Sequence, residues 1–267
     1  MTTDRASSIL EVDDFYERIL FMGGYKVGKS YAILKTFSYF AKHRPDVSLF
    51  VIDTDKSIRR TIVLEFPELR NVVHVYPARE YRDILDAAKA IAGQAKKGDW
   101  AAVDMINMPW EASQRYEISR VFNSDVGMYM LEKRMQMPHD SKSLYAGQGL
   151  LKGWLDWPVV NNMYRDIIYP LFAAPVHLIA ATGLREFAKE EGDNPPDADI
   201  RSAYAPFGFR ADGQKHLGHQ FQTIVWLHRA AKSETWYMTI VGDRGRKTEM
   251  SVPLKDFSLD YLEKRAG

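Results

Sequence analysis

Residues 23–30 read GGYKVGKS and match the GxxxxGKS pattern of a phosphate-binding loop. A short apolar run, residues 19–22, precedes the loop, and a stretch with helical spacing follows it. A strand that leads through a glycine-rich turn into a helix directs several backbone N–H groups and the positive end of the helix to one point. The sequence therefore predicts a polyphosphate site. The alternative is a glycine-rich turn before an amphipathic helix with a surface lysine.

Each residue type in this loop has a chemical role. The glycines allow unusual dihedral angles and a close approach of the backbone to a ligand. We expect Lys29 to bridge the outer phosphates of ATP and the Ser30 hydroxyl to coordinate Mg²⁺. The predicted nucleotide contacts are Gly23, Gly24, Tyr25, Lys26, Val27, Gly28, Lys29, Ser30 and Tyr31.

A phosphate loop also needs a carboxylate that holds the metal through its water shell, and Asp104 at the end of WAAVD fits this role. Asp53 and Asp55, in VIDTD, form a second acidic cluster at the same predicted sheet edge. We assign Asp55 as the base that orients and deprotonates the attacking water. Alternatively, Asp104 begins a turn, and the other two aspartates cap a helix that starts near Ser57.

Two further groups are candidates for the reaction itself. Thr182 ends the strand VHLIAAT, and its hydroxyl could sense the terminal phosphate if that strand lies between the loop strand and the Asp104 strand. The alternative is simple termination of the strand.

A cationic tip follows the last strand and could reach the phosphates of a neighbouring subunit, or it could be a solvated hairpin end. The tip consists of Arg244, Arg246 and Lys247.

Apolar runs and helical spacing predict the elements that position these groups. Strands are predicted at residues 47–52, 72–76, 100–105, 176–181, 221–228 and 235–241, the last two as an antiparallel pair. Helices are predicted after the loop as far as residue 43 and at residues 84–95, 110–122 and 157–172. Strands that alternate with helices imply an α/β fold with a mostly parallel sheet covered on both faces. Residues 1–17 are predicted to be an arm and residues 18–267 one domain.

Composition narrows the class of protein. The chain has 267 residues, 46% hydrophobic and 27% charged, which is an ordinary globular balance. With no apolar run of membrane-spanning length and no signal-like start, we expect a cytoplasmic protein without a membrane partner. The absence of cysteine excludes thiolate zinc sites and cysteine nucleophiles. A net charge of +1 neither requires nor forbids nucleic acid.

With these residues in place, the chain resembles the RecA-like P-loop ATPases, especially compact phage nucleotide-binding proteins associated with single-strand annealing and recombination. The resemblance rests on GGYKVGKS, VIDTD, WAAVDM, LIAATGLRE, GHQFQTIVWLHR and YMTIVGDRGR. It implies a RecA-like core with a mostly parallel twisted sheet, flanking helices and C-terminal antiparallel strands. It also implies ATP bound between protomers of a homo-oligomer, either ring or filament. The family's catalytic glutamate maps onto the shorter Asp55, and its glutamine sensor onto Thr182 or Gly183.

The resemblance further implies two DNA-binding loops, residues 123–153 and 186–218. Both contain cations that neutralise phosphates, and the second contains aromatic residues that stack on unpaired bases. The residues are Lys133, Arg134, Lys142 and Lys152 in the first loop and Arg201, Tyr204, Phe207, Phe209, Arg210 and Lys215 in the second. The alternative is a mobile surface loop with some buried aromatic residues.

The function predicted from these features is an ATPase that acts on single-stranded DNA in phage recombination or replication, in the cytoplasm of a bacterial host. Two alternatives stay open. One is a DNA-packaging or other motor ATPase that translocates duplex DNA. The other is an annealing module that binds nucleotide without significant hydrolysis.

Overall fold

The computed structural model describes residues 16–125, 127, 128, 132, 135, 153–186, 207–229, 235–244 and 251–253. In these residues the strands are β1 (Arg18–Gly23), β2 (Leu49–Asp53), β3 (Val73–Pro77), β4 (Trp100–Asp104), β5 (His177–Thr182), β6 (Leu184–Glu186), β7 (Phe209–Ala211), β8 (Thr223–Arg229), β9 (Trp236–Asp243) and β10 (Ser251–Pro253). The helices are α1 (Lys29–His43), α2 (Ile58–Glu65), α3 (Tyr81–Gln94), α4 (Asn107–Phe122) and α5 (Gly153–Ala173). Two short 3-10 helices occupy Pro67–Asn71 and Leu217–Gln220.

One sheet of eight strands, in the order β10-β9-β8-β1-β5-β4-β2-β3, organises the described part of the chain. The strands from β8 to β3 pair in parallel, whereas β9 runs antiparallel to both β8 and β10. Strands β6 and β7 form a separate antiparallel pair. This architecture confirms the predicted α/β fold class, with a mostly parallel sheet, flanking helices and antiparallel C-terminal strands.

The sheet separates two apolar cores. In β1, Leu20 and Met22 face the core that contains residues of α3 and α5. The alternating residues Ile19 and Phe21 face the other core, which contains residues of α1 and α2. Successive side chains of a strand point to opposite faces, so a strand covered on both faces is apolar throughout. Every residue of β1, β2 and β4 is buried accordingly.

Several elements differ from the sequence prediction. Helix α4 begins at Asn107 and α5 at Gly153, each a few residues earlier than expected. Strands β6, β7 and β10 were not predicted as elements, and α2 was expected only in the alternative in which a helix starts near Ser57. Part of the predicted loop 186–218 is ordered as β7 and a 3-10 helix, while residues 187–206 lie outside the described part, as do residues 1–15 of the predicted arm. Among the described helices, none combines the length and apolarity needed to cross a membrane.

Candidate functional site

The loop between β1 and α1 has a backbone that requires glycine at two positions. Gly28 has φ 86° and ψ 28°, the left-handed conformation that glycine adopts at little cost, and its carbonyl accepts a hydrogen bond from Ala32 N at 2.8 Å. A Cβ on Gly23 would lie 2.6 Å from Val27 Cγ2 and 2.7 Å from Leu227 O. The glycine pattern thus reflects both a turn and close packing against β8.

Lys29 lies over the loop. Its Nζ donates hydrogen bonds to the carbonyl oxygens of Gly23 at 3.1 Å and Gly24 at 2.7 Å. Burial lowers the pKa of Lys29, and the nearby carboxylates of Asp104 and Asp55 oppose that shift. The ammonium group is therefore held at the loop, where an anionic ligand can replace the carbonyl oxygens as its partner.

The Asp104 carboxylate accepts hydrogen bonds from two serine hydroxyls, one of which belongs to the phosphate loop. Ser30 Oγ donates to Asp104 Oδ2 at 2.6 Å, and Ser57 Oγ donates to the same oxygen at 3.1 Å. The two hydroxyl oxygens are 2.7 Å apart. The other carboxylate oxygen, Asp104 Oδ1, is buried without a hydrogen-bond partner among the described residues. Burial raises the pKa of Asp104 to about 6, with the Asp55 charge adding to the shift and the bond from Ser30 opposing it.

The backbone at the end of β4 is fixed from the neighbouring strand. Thr54 donates to the Asp104 carbonyl from its N–H at 2.7 Å and from its hydroxyl at 2.9 Å. The same hydroxyl accepts from Met105 N at 2.8 Å, and the peptide bond between Asp104 and Met105 is cis. The hydrogen bonds from Thr54 hold the main chain of Asp104, and those from Ser30 and Ser57 hold its carboxylate, as a preorganised site requires.

The two aspartates after β2 differ in their surroundings. Asp53 is paired in register with Asp104 and is 1% exposed, and neither of its carboxylate oxygens has a hydrogen-bond partner in the described residues. Burial, followed by the Asp55 charge, raises the pKa of Asp53. Asp55 is exposed at the cavity wall and accepts from Ser57 N at 2.9 Å, just before α2. This contact forms a turn before α2, and the roles of Asp55 as base or as cap stay predictions.

Of these groups, Lys29, Ser30, Asp55 and Ser57 border a cavity of about 1050 Å³, a size that suits a nucleotide, and the buried Asp104 is hydrogen-bonded to the two serines. The whole predicted set from Gly23 to Tyr31 lines the cavity, together with residues that follow β2, β3, β4 and β5. Most of the lining residues outside the loop were not assigned from the sequence, among them Ser57, Arg79 and Arg115. Arg79, which donates to Thr54 O at 3.1 Å, follows β3. It could have been found by the rule that the carboxyl ends of parallel strands share one sheet edge.

Thr182 lies at this edge, on β5 between β1 and β4. Its hydroxyl is buried and donates to Asp212 O at 2.7 Å, so it joins β5 to the segment after β7. The next residue, Gly183, lines the cavity, as does Asp212. The structure thus brings Thr182 to the site but commits its hydroxyl hydrogen to the protein backbone. A sensing role for Thr182 stays a prediction.

The described part of the cationic tip is Arg244. It lies near the amino-terminal ends of the parallel strands, whereas the phosphate loop lies at their carboxyl ends. Asp243, which precedes Arg244, pairs with Thr223, and Thr223 pairs with Ile19 near the start of β1. Arg244 therefore lies far from the loop of its own chain, and its guanidinium donates to His219 O. Contact with a neighbouring subunit stays a prediction, and Arg246 and Lys247 lie outside the described residues.

The candidate DNA-binding residues divide into two groups. Phe207 and Phe209 pack against Trp226, with ring centroids 5.5 and 4.9 Å away. Arg210 and Lys215 line a second cavity of about 390 Å³ beside Trp157. The remaining candidates lie outside the described residues: Lys133, Arg134, Lys142, Lys152, Arg201 and Tyr204.

The residues that face each other across the loop fit a magnesium ion. Hydroxyl and carboxylate oxygens are the ligands that Mg²⁺ prefers, and Mg²⁺ is usually bound by one or two carboxylates together with phosphates and water. Ser30 Oγ and the buried, unpartnered Asp104 Oδ1 supply such oxygens. A ligand here would therefore be a phosphate compound that brings further oxygens to the metal.

Comparison with solved structures shows similarity to the crystal structure of the RadB recombinase, with 7% sequence identity, coverage of 88% of this chain and 86% of that chain, and a TM-score of 0.48. No protein-family model matches the chain. A search of curated proteins gives no match either. Similarity at this level does not transfer residue roles, so the fold class rests on the strand order and the site on its distances.

Proposed function

We propose that this protein binds ATP with Mg²⁺ at residues 23–30 and hydrolyses it. One observation carries the proposal: the loop hydroxyl of Ser30 lies 2.6 Å from the buried carboxylate of Asp104, which comes from a strand two positions away in the sheet. A glycine-rich turn alone would not require a buried acidic residue opposite its helix. A site for a phosphate and its metal would.

The chain's own groups have separate tasks in this reaction. Loop amides and the first turn of α1 bind the phosphates, and Lys29 exchanges its carbonyl partners for phosphate oxygens. Ser30 and Asp104 hold Mg²⁺, which, when bound, neutralises negative charge on the outer phosphates. Asp55 at the cavity wall takes the proton of the attacking water, and Thr182 is the candidate sensor.

In the proposed oligomer, a neighbouring subunit contributes Arg244 or Arg246 to stabilise the charge of the transition state. If Arg244 takes this role, it must come from another subunit, because Arg244 lies at the end of the sheet opposite its own loop. The assembly would be a ring or a filament with ATP between protomers.

We further propose that the protein acts on single-stranded DNA, in phage recombination or replication. The support is chemical: Arg210 and Lys215 lie beside the partly exposed Trp157 at the second cavity, which shares Asp212 with the nucleotide cavity. Cations next to an aromatic face are suited to phosphates and unpaired bases. The Phe207 and Phe209 rings, which pack on Trp226, are better explained as support for this region.

The test is ATP hydrolysis without DNA, with single-stranded DNA and with duplex DNA, together with the mass of the assembly. Lys29→Ala is the test variant, and Lys42→Ala, exposed in the last turn of the same helix, is its control. We expect hydrolysis that single strands stimulate, an oligomer with nucleotide, and loss of turnover in Lys29→Ala only.

Other outcomes select other functions. Stimulation by duplex DNA alone would favour a translocating motor. Strand annealing that persists in Lys29→Ala would favour a module that does not depend on hydrolysis. If neither DNA form changes turnover and the protein stays monomeric with nucleotide, the recombination proposal is wrong, while nucleotide binding can still hold.

A further inference from the structure

Three oxygen atoms lie close to one another beside the phosphate loop: Ser30 Oγ, Asp104 Oδ2 and Ser57 Oγ. Their separations are 2.6 Å between Ser30 and Asp104, 2.7 Å between the serines and 3.1 Å between Ser57 and Asp104. All three distances are within hydrogen-bonding range. Ser57 belongs to neither the phosphate loop nor β4, so it is a third component of this site.

The two serine hydroxyls carry one hydrogen each, but the triangle contains three contacts. If Ser30 donates to Asp104, the single hydrogen of Ser57 can serve either Ser30 or Asp104, not both. A third pattern, in which Ser30 donates to Ser57 and Ser57 donates to Asp104, fits the same distances. A cation that takes up a lone pair of Ser30 would favour a pattern in which Ser57 donates to Asp104.

The backbone around Ser57 holds its hydroxyl in place. Ser57 N donates to Asp55 Oδ1 at 2.9 Å, and Ser57 O accepts from the hydroxyl of Thr61 at 3.2 Å. In the described structure the Ser57 side chain makes no capping hydrogen bond to α2. Its hydroxyl is thus directed to Asp104 and Ser30, while Ile58 and Ile62 anchor the helix in the core.

We propose that Ser57 is a positioning residue for the metal site: its hydroxyl donates to Asp104 Oδ2 and so orients the carboxylate that contacts Ser30. This inference rests on the proposed nucleotide function and adds a residue to it. Groups that orient metal-facing carboxylates typically contribute about 10–100-fold to metal affinity or activity. Ser57 also connects the metal site to the N-terminus of α2.

The experiment measures two affinities separately. Mn²⁺ binding to the protein saturated with a non-hydrolysable ATP analogue is followed by electron paramagnetic resonance. Binding of a fluorescent ADP analogue is measured in excess EDTA. The variants are Ser57→Ala, Ser57→Thr, which keeps the hydroxyl, and Ser119→Ala, which removes a hydroxyl of similar exposure that bonds to a backbone carbonyl away from the cavity.

We expect Ser57→Ala to weaken Mn²⁺ binding by about tenfold and to leave nucleotide affinity in EDTA unchanged. Ser57→Thr should restore most of the Mn²⁺ affinity, and Ser119→Ala should behave as the wild type. The inference is wrong if Ser57→Ala binds Mn²⁺ as tightly as Ser119→Ala. It is also wrong if Ser57→Ala loses nucleotide affinity equally with and without metal. Failure of the wild type to bind nucleotide at all would overturn the proposed function, and this inference with it.

Discussion

A buried aspartate lies at each end of β4: Asp99 directly precedes the strand and Asp104 is its last residue. The two carboxylates differ in whether both of their oxygens accept hydrogen bonds. At the start of the strand, Asp99 is 4% exposed and accepts from Ser48 N at 2.8 Å and from Lys96 N at 2.7 Å, one for each oxygen. At its end, Asp104 is fully buried, with Oδ1 lacking a partner in the described structure. A satisfied buried carboxylate stabilises a turn, whereas an unsatisfied one is expected where a ligand completes it.

The largest expected effect is a loss of ATP hydrolysis when Asp104, the aspartate with an unpartnered oxygen, is replaced. Replacing Asp104 by Asn keeps the shape of the side chain and removes its charge, so the metal loses its carboxylate. We expect ATP turnover to fall by about a hundredfold or more, comparable to the loss of one preorganised charge-stabilising group. Steady-state phosphate release measures this. Asp99→Asn is the matched control, and an equal loss in both variants would mean that the comparison of the two ends is wrong.

The same Asp104→Asn variant should be more stable than the wild type. Because burial raises the pKa of Asp104 from 3.8 to about 6, ionisation of this group costs the folded state about 3 kcal/mol at neutral pH. This cost is absent below the unfolded pKa of 3.8, grows as the pH rises from there to about 6, and is constant above that. Urea unfolding of both proteins at neutral and acidic pH measures it. The gain in the variant should shrink on acidification, and a constant gain or a loss at neutral pH would contradict the assignment.

Asp99→Ala, at the start of β4, should lower stability, whereas Asp104→Asn should raise it. Replacing Asp99 removes the acceptor of two part-buried hydrogen bonds, from Ser48 N and from Lys96 N, which costs about 1–3 kcal/mol. The free energy of unfolding in urea measures the loss. Nucleotide affinity should not change, and a variant that lost affinity without losing stability would place Asp99 in the site.

The smallest expected effect is the change in stability with pH that is caused by His177. This residue begins β5 and pairs with Trp100 at the start of β4. Burial lowers its pKa to about 4, and its Nδ1 accepts from Glu17 N at 3.0 Å. A lowered histidine pKa contributes stability that is present above the unfolded pKa and is lost as the pH falls through the folded pKa. Between neutral pH and about pH 5.5 we expect a loss of about 1 kcal/mol. His177→Phe should lack this loss in urea unfolding, and an unchanged pH response would exclude His177 as its source.

The phosphate loop and most of the sheet could be predicted because their signals are local. Strands buried on both faces are continuous apolar runs, and the loop is a contiguous motif. Asp104 could be placed at the site because it ends such a strand. Helix α2 could not be predicted from spacing, since Val63 and Leu64 on it are 53% and 62% exposed and break the apolar pattern.

The remaining features of the site depend on contacts between distant residues. The Thr182 hydroxyl bonds to Asp212, thirty positions away, and no local pattern indicates that partner. The role of Ser57 was missed for a related reason. As a residue before a helix it is an ordinary cap candidate, and only the packing of α2 against α1 brings its hydroxyl to Asp104.

The most direct test of the account is the affinity of the wild type, Lys29→Ala and Lys42→Ala for an ATP analogue with Mg²⁺, measured by titration calorimetry. Lys29 lies at the loop with its Nζ on the Gly23 and Gly24 carbonyls, whereas Lys42 is exposed at the far end of the same helix. We predict that the wild type and Lys42→Ala bind equally and that Lys29→Ala binds at least about tenfold more weakly, a loss of one charge-assisted contact. No binding by the wild type, or equal binding by all three proteins, would contradict a nucleotide site at residues 23–30.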